Sequence, residues 1–225
     1  MTFGFIDFSS DTLIIIATTL RMSFFSVLIS TFLGTIFGLL LEKSRFPGKR
    51  IVVRICRTLM GMPPVVAGLI VYLILMRQGP LGFLGILFTV KAMVIAQVVL
   101  ITPIITGMVY TYAVRSAPAI RMFAKTMGAS RLQTQFLFIR EMKGEFYFAV
   151  ITAFSRAISE VGAVMIVGGN IQFKTRTMTT AITMLRSMGD FSQGITLGIL
   201  LLLIAFTLQS LSDLFRREEK TEENF

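Results

Sequence analysis

Arg156 and Glu160 lie four residues apart inside an otherwise apolar stretch, 146–168. On a helix that spacing lets guanidinium and carboxylate pair, and charges in such a stretch face protein or water instead of hydrocarbon. Two uses are open to them. They form a structural ion pair that fixes helix packing, or they line a path for a charged solute. A carboxylate repels an anion unless Arg156 compensates, which favours the ion pair.

Little else in the chain suits bond chemistry. There is no His and one cysteine, Cys56, so the commonest acid-base catalyst and metal ligand is missing and no intrachain disulfide can form. Glu160 is the one deeply placed carboxylate, too few groups for a clustered catalytic site. No metal site and no cofactor are expected. The phosphate loop G-x-x-x-x-G-K-[ST] does not occur, so the chain is not expected to hydrolyse ATP by that machinery.

The elements that must position these residues are membrane-spanning helices. Hydrophobic residues make up 54% of the chain and charged residues 15%, with a mean hydropathy of +0.78. Five stretches, 13–41, 51–76, 92–114, 146–168 and 195–211, are long enough to cross about 30 Å of hydrocarbon at about 1.5 Å per residue. A shorter apolar piece, 81–90, suits an interfacial or re-entrant segment and leaves a sixth crossing as the alternative count. Pro63 and Pro64 remove two backbone donors and interrupt the second stretch, either as a packing kink or beside a watery path. Neither a repeat nor a linker divides residues 1–225, which read as one transmembrane unit. No basic residue precedes Arg21, so the first apolar stretch is expected to persist in the mature protein.

The formal charge of +10 follows topology. Fifteen Lys and Arg fall in 43–57, 115–143 and the tail, against five (Arg77, Lys91, Lys174, Arg176 and Arg186) on the other side. That asymmetry predicts an outside N-terminus and a cytoplasmic C-terminus, which five crossings satisfy. It also argues against nucleic acid, since no basic face studded with aromatics is present.

The basic loop 116–145 is too polar for lipid, yet Met122, Phe123, Met127, Leu132, Phe136 and Ile139 recur at roughly helical spacing. It is either a connector resting on membrane lipid or a knob that docks into a partner. Small residues, Ala157, Gly162, Ala163, Gly168 and Gly169, permit close helix approach in the fourth stretch. The segment 170–193 carries Lys174, Thr175, Arg176, Thr177, Thr179 and Thr180, either receiving an oxyanion or forming the landing surface of an external protein.

Three runs carry a family resemblance. Ala124-Lys125-Thr126-Met127-Gly128-Ala129-Ser130, followed by Phe138-Ile139, resembles the cytoplasmic EAA loop of ABC importer permeases, although Met122 stands at the leading Glu position and Arg140-Glu141 at the closing Leu-Pro. Gly61-Met62-Pro63-Pro64-Val65-Val66-Ala67-Gly68 and Ser155-Arg156-Ala157-Ile158-Ser159-Glu160-Val161-Gly162-Ala163 are most similar to tungstate-uptake permeases; molybdate and sulfate permeases carry related versions. The resemblance implies an all-α integral membrane protein of the type I ABC importer permease (MetI-like) fold, with a cytoplasmic coupling helix. It implies that Phe123, Ala124, Gly128, Ala129 and Ser130 couple to an ATPase, and that Pro63, Pro64, Ser155, Arg156, Ser159 and Glu160 border the translocation pathway. The implied partners are a second copy, two cytoplasmic ABC ATPase subunits and an external solute-binding protein, in the plasma membrane of a prokaryote. A secondary transporter is the rival reading; it calls for internal repeats or several intramembrane ionisable residues, which the sequence lacks.

Overall fold

A computed structural model describes residues 10–222, and among these it contains helices and no strand. The helices are α1 (Ser10–Lys43), α2 (Lys49–Met60), α3 (Pro64–Leu75), α4 (Val90–Thr126), α5 (Arg131–Glu141), α6 (Lys143–Ser159), α7 (Gly162–Gly168), α8 (Met178–Ser187) and α9 (Phe191–Glu222). Three of them, α1, α4 and the Phe191–Ser210 part of α9, are each long and apolar enough to cross a membrane. Two bent pairs, α2 with α3 and α6 with α7, raise the number of spans to as many as five.

The bundle is organised around α4. Its alanines and aliphatic residues, among them Ala92, Ala96, Ile101 and Ile105, are buried between α1, α3, α6 and α7. Facing helices meet it with small side chains: Ser23, Ser26 and Ser30 on α1, and Ala149, Ala153 and Ala157 on α6. Small residues let helix backbones approach closely where lipid removes the hydrophobic drive for association. The far side of α1 exposes Phe24, Phe25, Leu28, Ile29 and Phe32, an apolar surface matched to acyl chains. At one end Arg121 of α4 holds Glu42 of α1 at 2.9 Å.

The interruption expected at Pro63 and Pro64 is a sharp bend, α2 and α3 meeting at 105° across Gly61–Pro63. Two expectations need correction. Loop 116–145 is not a separate element, because α4 runs on to Thr126 through Pro118, and α6 begins at Lys143. Arg156 and Glu160 do not share a helix: α6 ends at Ser159, and Glu160 is extended at φ −74° and ψ 130°, beyond which α7 departs at 57°. The piece 81–90 holds a single 3-10 turn, Gly82–Leu84, and the tail 216–222 continues α9. Residues 1–9 and 223–225, including the start of the N-terminal expectation, lie outside the described residues.

Candidate functional site: two adjoining helix breaks and an exposed knob

At the first break, Pro63 is extended at φ −61° and ψ 131°, and Pro64 opens α3 at the position where a missing N–H costs the helix nothing. The N–H groups of Val66 and Ala67 donate to the Pro63 carbonyl at 3.0 and 3.2 Å. The second break follows Ser159. A break at membrane depth would leave backbone groups without partners, at a cost of several kcal/mol each. Here side chains supply them. Gln97 Nε2 on α4 donates to the Ala157 carbonyl at 2.8 Å, and Thr179 Oγ1 on α8 donates to the Glu160 carbonyl at 2.8 Å. Glu160 Oε1 accepts the Ala163 N–H at 3.2 Å, closing the first turn of α7.

The two breaks adjoin. A Cβ on Gly162 would lie 2.9 Å from Val65 Cγ2 and 3.5 Å from Pro64 Cβ, and one on Gly68 would lie 2.7 Å from Ala163 Cα. Only glycine lets the α3 and α7 backbones come so close. The pathway residues named from sequence are therefore gathered at one place, on two sides. Pro63, Ser155, Arg156 and Ser159 are exposed, whereas Glu160 is buried. The Arg156 guanidinium reaches Glu160 Oε2 at only 3.8 Å, with the arginine side chain 42% exposed and the glutamate side chain 4%. Glu160 thus serves chiefly the helix junction, and Arg156 presents its charge beside two serines.

The threonines of 170–193 are otherwise disposed than an oxyanion receptor requires. Thr175 Oγ1 donates to the Gly168 carbonyl and accepts the Ile171 N–H. Thr177 and Thr180 form the capping box of α8, and the Met178 N–H donates to Thr19 Oγ1 on α1. These four threonines and Thr179 are buried and bonded within the chain; Lys174 stays exposed. Sequence reasoning missed Gln97, whose signal was a lone carboxamide inside the uncharged stretch 92–114.

The knob lies at the other end of α4. That helix is about 55 Å long at about 1.5 Å per residue, so it carries its last turns well past a layer about 30 Å thick. Gly128, at φ +67°, turns the chain, and the Ala129 N–H donates to the Ala124 carbonyl at 2.9 Å. Ser130 then starts α5 through a capping box with Gln133, satisfying two helix-end donors reciprocally. The turn leaves Phe123, Met127, Leu132 and Phe136 exposed, Leu132 at 79%, around a groove of about 530 Å³. Of the coupling residues named from sequence, Phe123, Gly128 and Ser130 are exposed, Ala129 is half-buried and Ala124 is buried. Ala124 therefore packs inside the turn. At Met142, α5 passes directly into α6, which runs to the Ser159 break.

Comparison with known proteins bears on this arrangement. The family model described as binding-protein-dependent transport system inner membrane component matches residues 30–220. A tungstate uptake system permease protein from Peptoclostridium acidaminophilum is 47% identical over 77% of this chain and 76% of its own length. A probable anion ABC transporter permease protein from Haloferax volcanii is 40% identical over 90% of this chain and 89% of its own. Among solved structures, a chain of a methionine ABC transporter in inward-facing conformations superposes with a TM-score of 0.69 at 18% identity, covering 92% of this chain and 94% of that one.

Proposed function

Because the chain belongs to the binding-protein-dependent transport system inner membrane components, we propose that it is the transmembrane subunit of an ABC importer that carries an oxyanion, tungstate first among them. The observation that carries this reading is the knob. Phe123, Met127, Leu132 and Phe136 form an apolar surface on a polar, basic segment beyond the membrane-crossing length of α4, and apolar surface exposed there marks a protein contact. The contact we assign is with a cytoplasmic ABC ATPase, one on each copy of a homodimer, with an external solute-binding protein delivering the anion. The charge asymmetry supports an outside N-terminus and a cytoplasmic knob in a prokaryotic plasma membrane.

The mechanism follows from connectivity. ATP-driven closure of the motor subunits would displace the knob, and α6 would transmit that displacement to the junction at Glu160. Two adjoining breaks supply a place where packed helices can exchange one arrangement for another without bond chemistry. Arg156, Ser155 and Ser159 form a polar face of α6 at the break, and a cation at that depth requires water, protein or an anion. A second copy facing this surface would enclose a path with a positive lining. The 47% identity to a tungstate permease supports tungstate over other tetrahedral oxyanions.

The test is uptake by sealed vesicles reconstituted with the chain alone and with its ATPase and binding protein. Tungstate accumulation is expected only with the partners and ATP inside reach of the ATPase. Accumulation by the chain alone would contradict the proposal, and molybdate accumulation with no tungstate accumulation would reassign the anion.

A further inference from the structure

The first break also reorients α2, to which the transport reading gives no role. α2 makes 105° with α3, so the two do not continue along one axis and α2 runs crosswise to α3. Its three sides differ. Val53, Cys56 and Met60 turn toward α4, where the Cys56 thiol donates to the Pro103 carbonyl at 3.6 Å. Ile51, Ile55 and Leu59 form an exposed apolar side. Arg50, Arg54 and Arg57 form an exposed basic side, and Arg45 joins them across a cleft of about 1000 Å³ that Tyr110 also lines.

Among the described residues no nearby group neutralises these four arginines. Lys49 Nζ is engaged with the Glu42 and Ser44 carbonyls at the end of α1, and the Glu42 carboxylate is held by Arg121. Among the described residues no carboxylate lies within ion-pair distance of Arg45, Arg50, Arg54 or Arg57. At 100° per residue the basic side and the apolar side are centred on nearly opposite flanks of the α2 packing stripe. A helix attached sideways to a membrane bundle, with one flank apolar and the other cationic, has the form of an interfacial helix.

We propose that α2 is a docking surface for anionic phospholipid: the acyl chains lie along Ile51, Ile55 and Leu59, and the headgroup phosphate sits in the cleft of Arg45, Arg50, Arg54 and Arg57. Arginine suits a phosphate because its planar donors meet two oxygens at once. Tyr110 supplies the amphipathic ring typical of headgroup depth. The lipid would brace α2 and so set the angle of the Gly61–Pro63 bend that adjoins the pathway.

The full chain, extracted with its ATPase partner from vesicles of equal phosphatidylglycerol and phosphatidylcholine, is examined by native mass spectrometry for retained lipid. The wild-type complex is expected to retain phosphatidylglycerol in excess. R54Q should lower that excess about fivefold and R50Q/R54Q/R57Q should abolish it, while R50K/R54K/R57K keeps most of it, since each basic side chain near a surface contributes a similar increment. An unchanged excess in the triple glutamine variant that still assembles, or in R54Q if the triple variant does not, overturns the proposal. So does loss of the excess on adding millimolar inorganic phosphate, which would show a headgroup-only site. Disulfide formation between copies carrying Ile55→Cys in a Cys56→Ser background also overturns it, since the apolar side would then face a second copy. None of these outcomes depends on transport, so failure here leaves the importer assignment standing.

Discussion

Thr179 on α8 donates its hydroxyl to the backbone carbonyl of Glu160 at 2.8 Å, fastening α8 to the break between α6 and α7. The same hydroxyl lies 3.1 Å from Thr177 Oγ1, and Thr179 is 6% exposed. Removing the hydroxyl would leave a buried carbonyl without that partner. Thr179→Ala is expected to lower stability by about 1 kcal/mol, with Thr179→Ser restoring it. Thermal unfolding of the purified chain checks this; an alanine variant as stable as the parent would show that water or a neighbour satisfies the carbonyl.

Glu160 is expected to matter for assembly more than for the choice of anion. Its Oε1 accepts the Ala163 N–H, a bond that Glu160→Gln can retain and Glu160→Ala cannot. The glutamine variant should therefore lose less folded yield than the alanine variant, and both should keep the parent order of preference among tungstate, molybdate and sulfate. Normal yield together with an altered order in Glu160→Gln would place the carboxylate on the anion path.

Gly128 is expected to be sensitive through its backbone. No atom lies within 4 Å of the position its Cβ would take, so bulk alone meets no obstacle within the chain; the φ of +67° is what disfavours a substitution. A branched side chain there costs at least about 1–2 kcal/mol, whereas asparagine tolerates the left-handed region. Gly128→Val should lower transport-coupled ATPase activity more than tenfold while membrane insertion persists, and Gly128→Asn should keep most of the activity. Equal losses in the two would put the defect in the docking surface instead of the turn. Full coupled activity in Gly128→Val would remove the turn from the coupling account.

Much of this architecture was legible because lipid imposes a simple rule: about twenty apolar residues per crossing. That rule located the three long apolar helices α1, α4 and the first part of α9, and Pro63-Pro64 announced the first break through its two absent donors. The second break was illegible for a physical reason. Nothing around Ser159 forbids a helix, and what ends it is tertiary: Gln97, Thr179 and the Glu160 side chain take over the backbone partners. For the same reason the threonines of 170–193 read as free donors when Thr175 and Thr177 are in fact buried and bonded within the chain. At the knob, the spacing of Phe123, Met127, Leu132 and Phe136 foretold an amphipathic segment, but not that α4 itself extends to Thr126 and that Ala124 turns inward.

The most direct measurement of the central claim is how much ABC ATPase subunit copurifies with the chain when the knob is made polar. Leu132 and Phe136 are exposed and line the groove, so Leu132→Asp with Phe136→Asp should leave the bundle folded and inserted. Recovery of the ATPase is predicted to fall at least about tenfold, as expected for removing apolar anchors from an interface. Recovery at the parent level, from a variant that no longer presents an apolar knob, would contradict the proposal that this surface is where the motor takes hold.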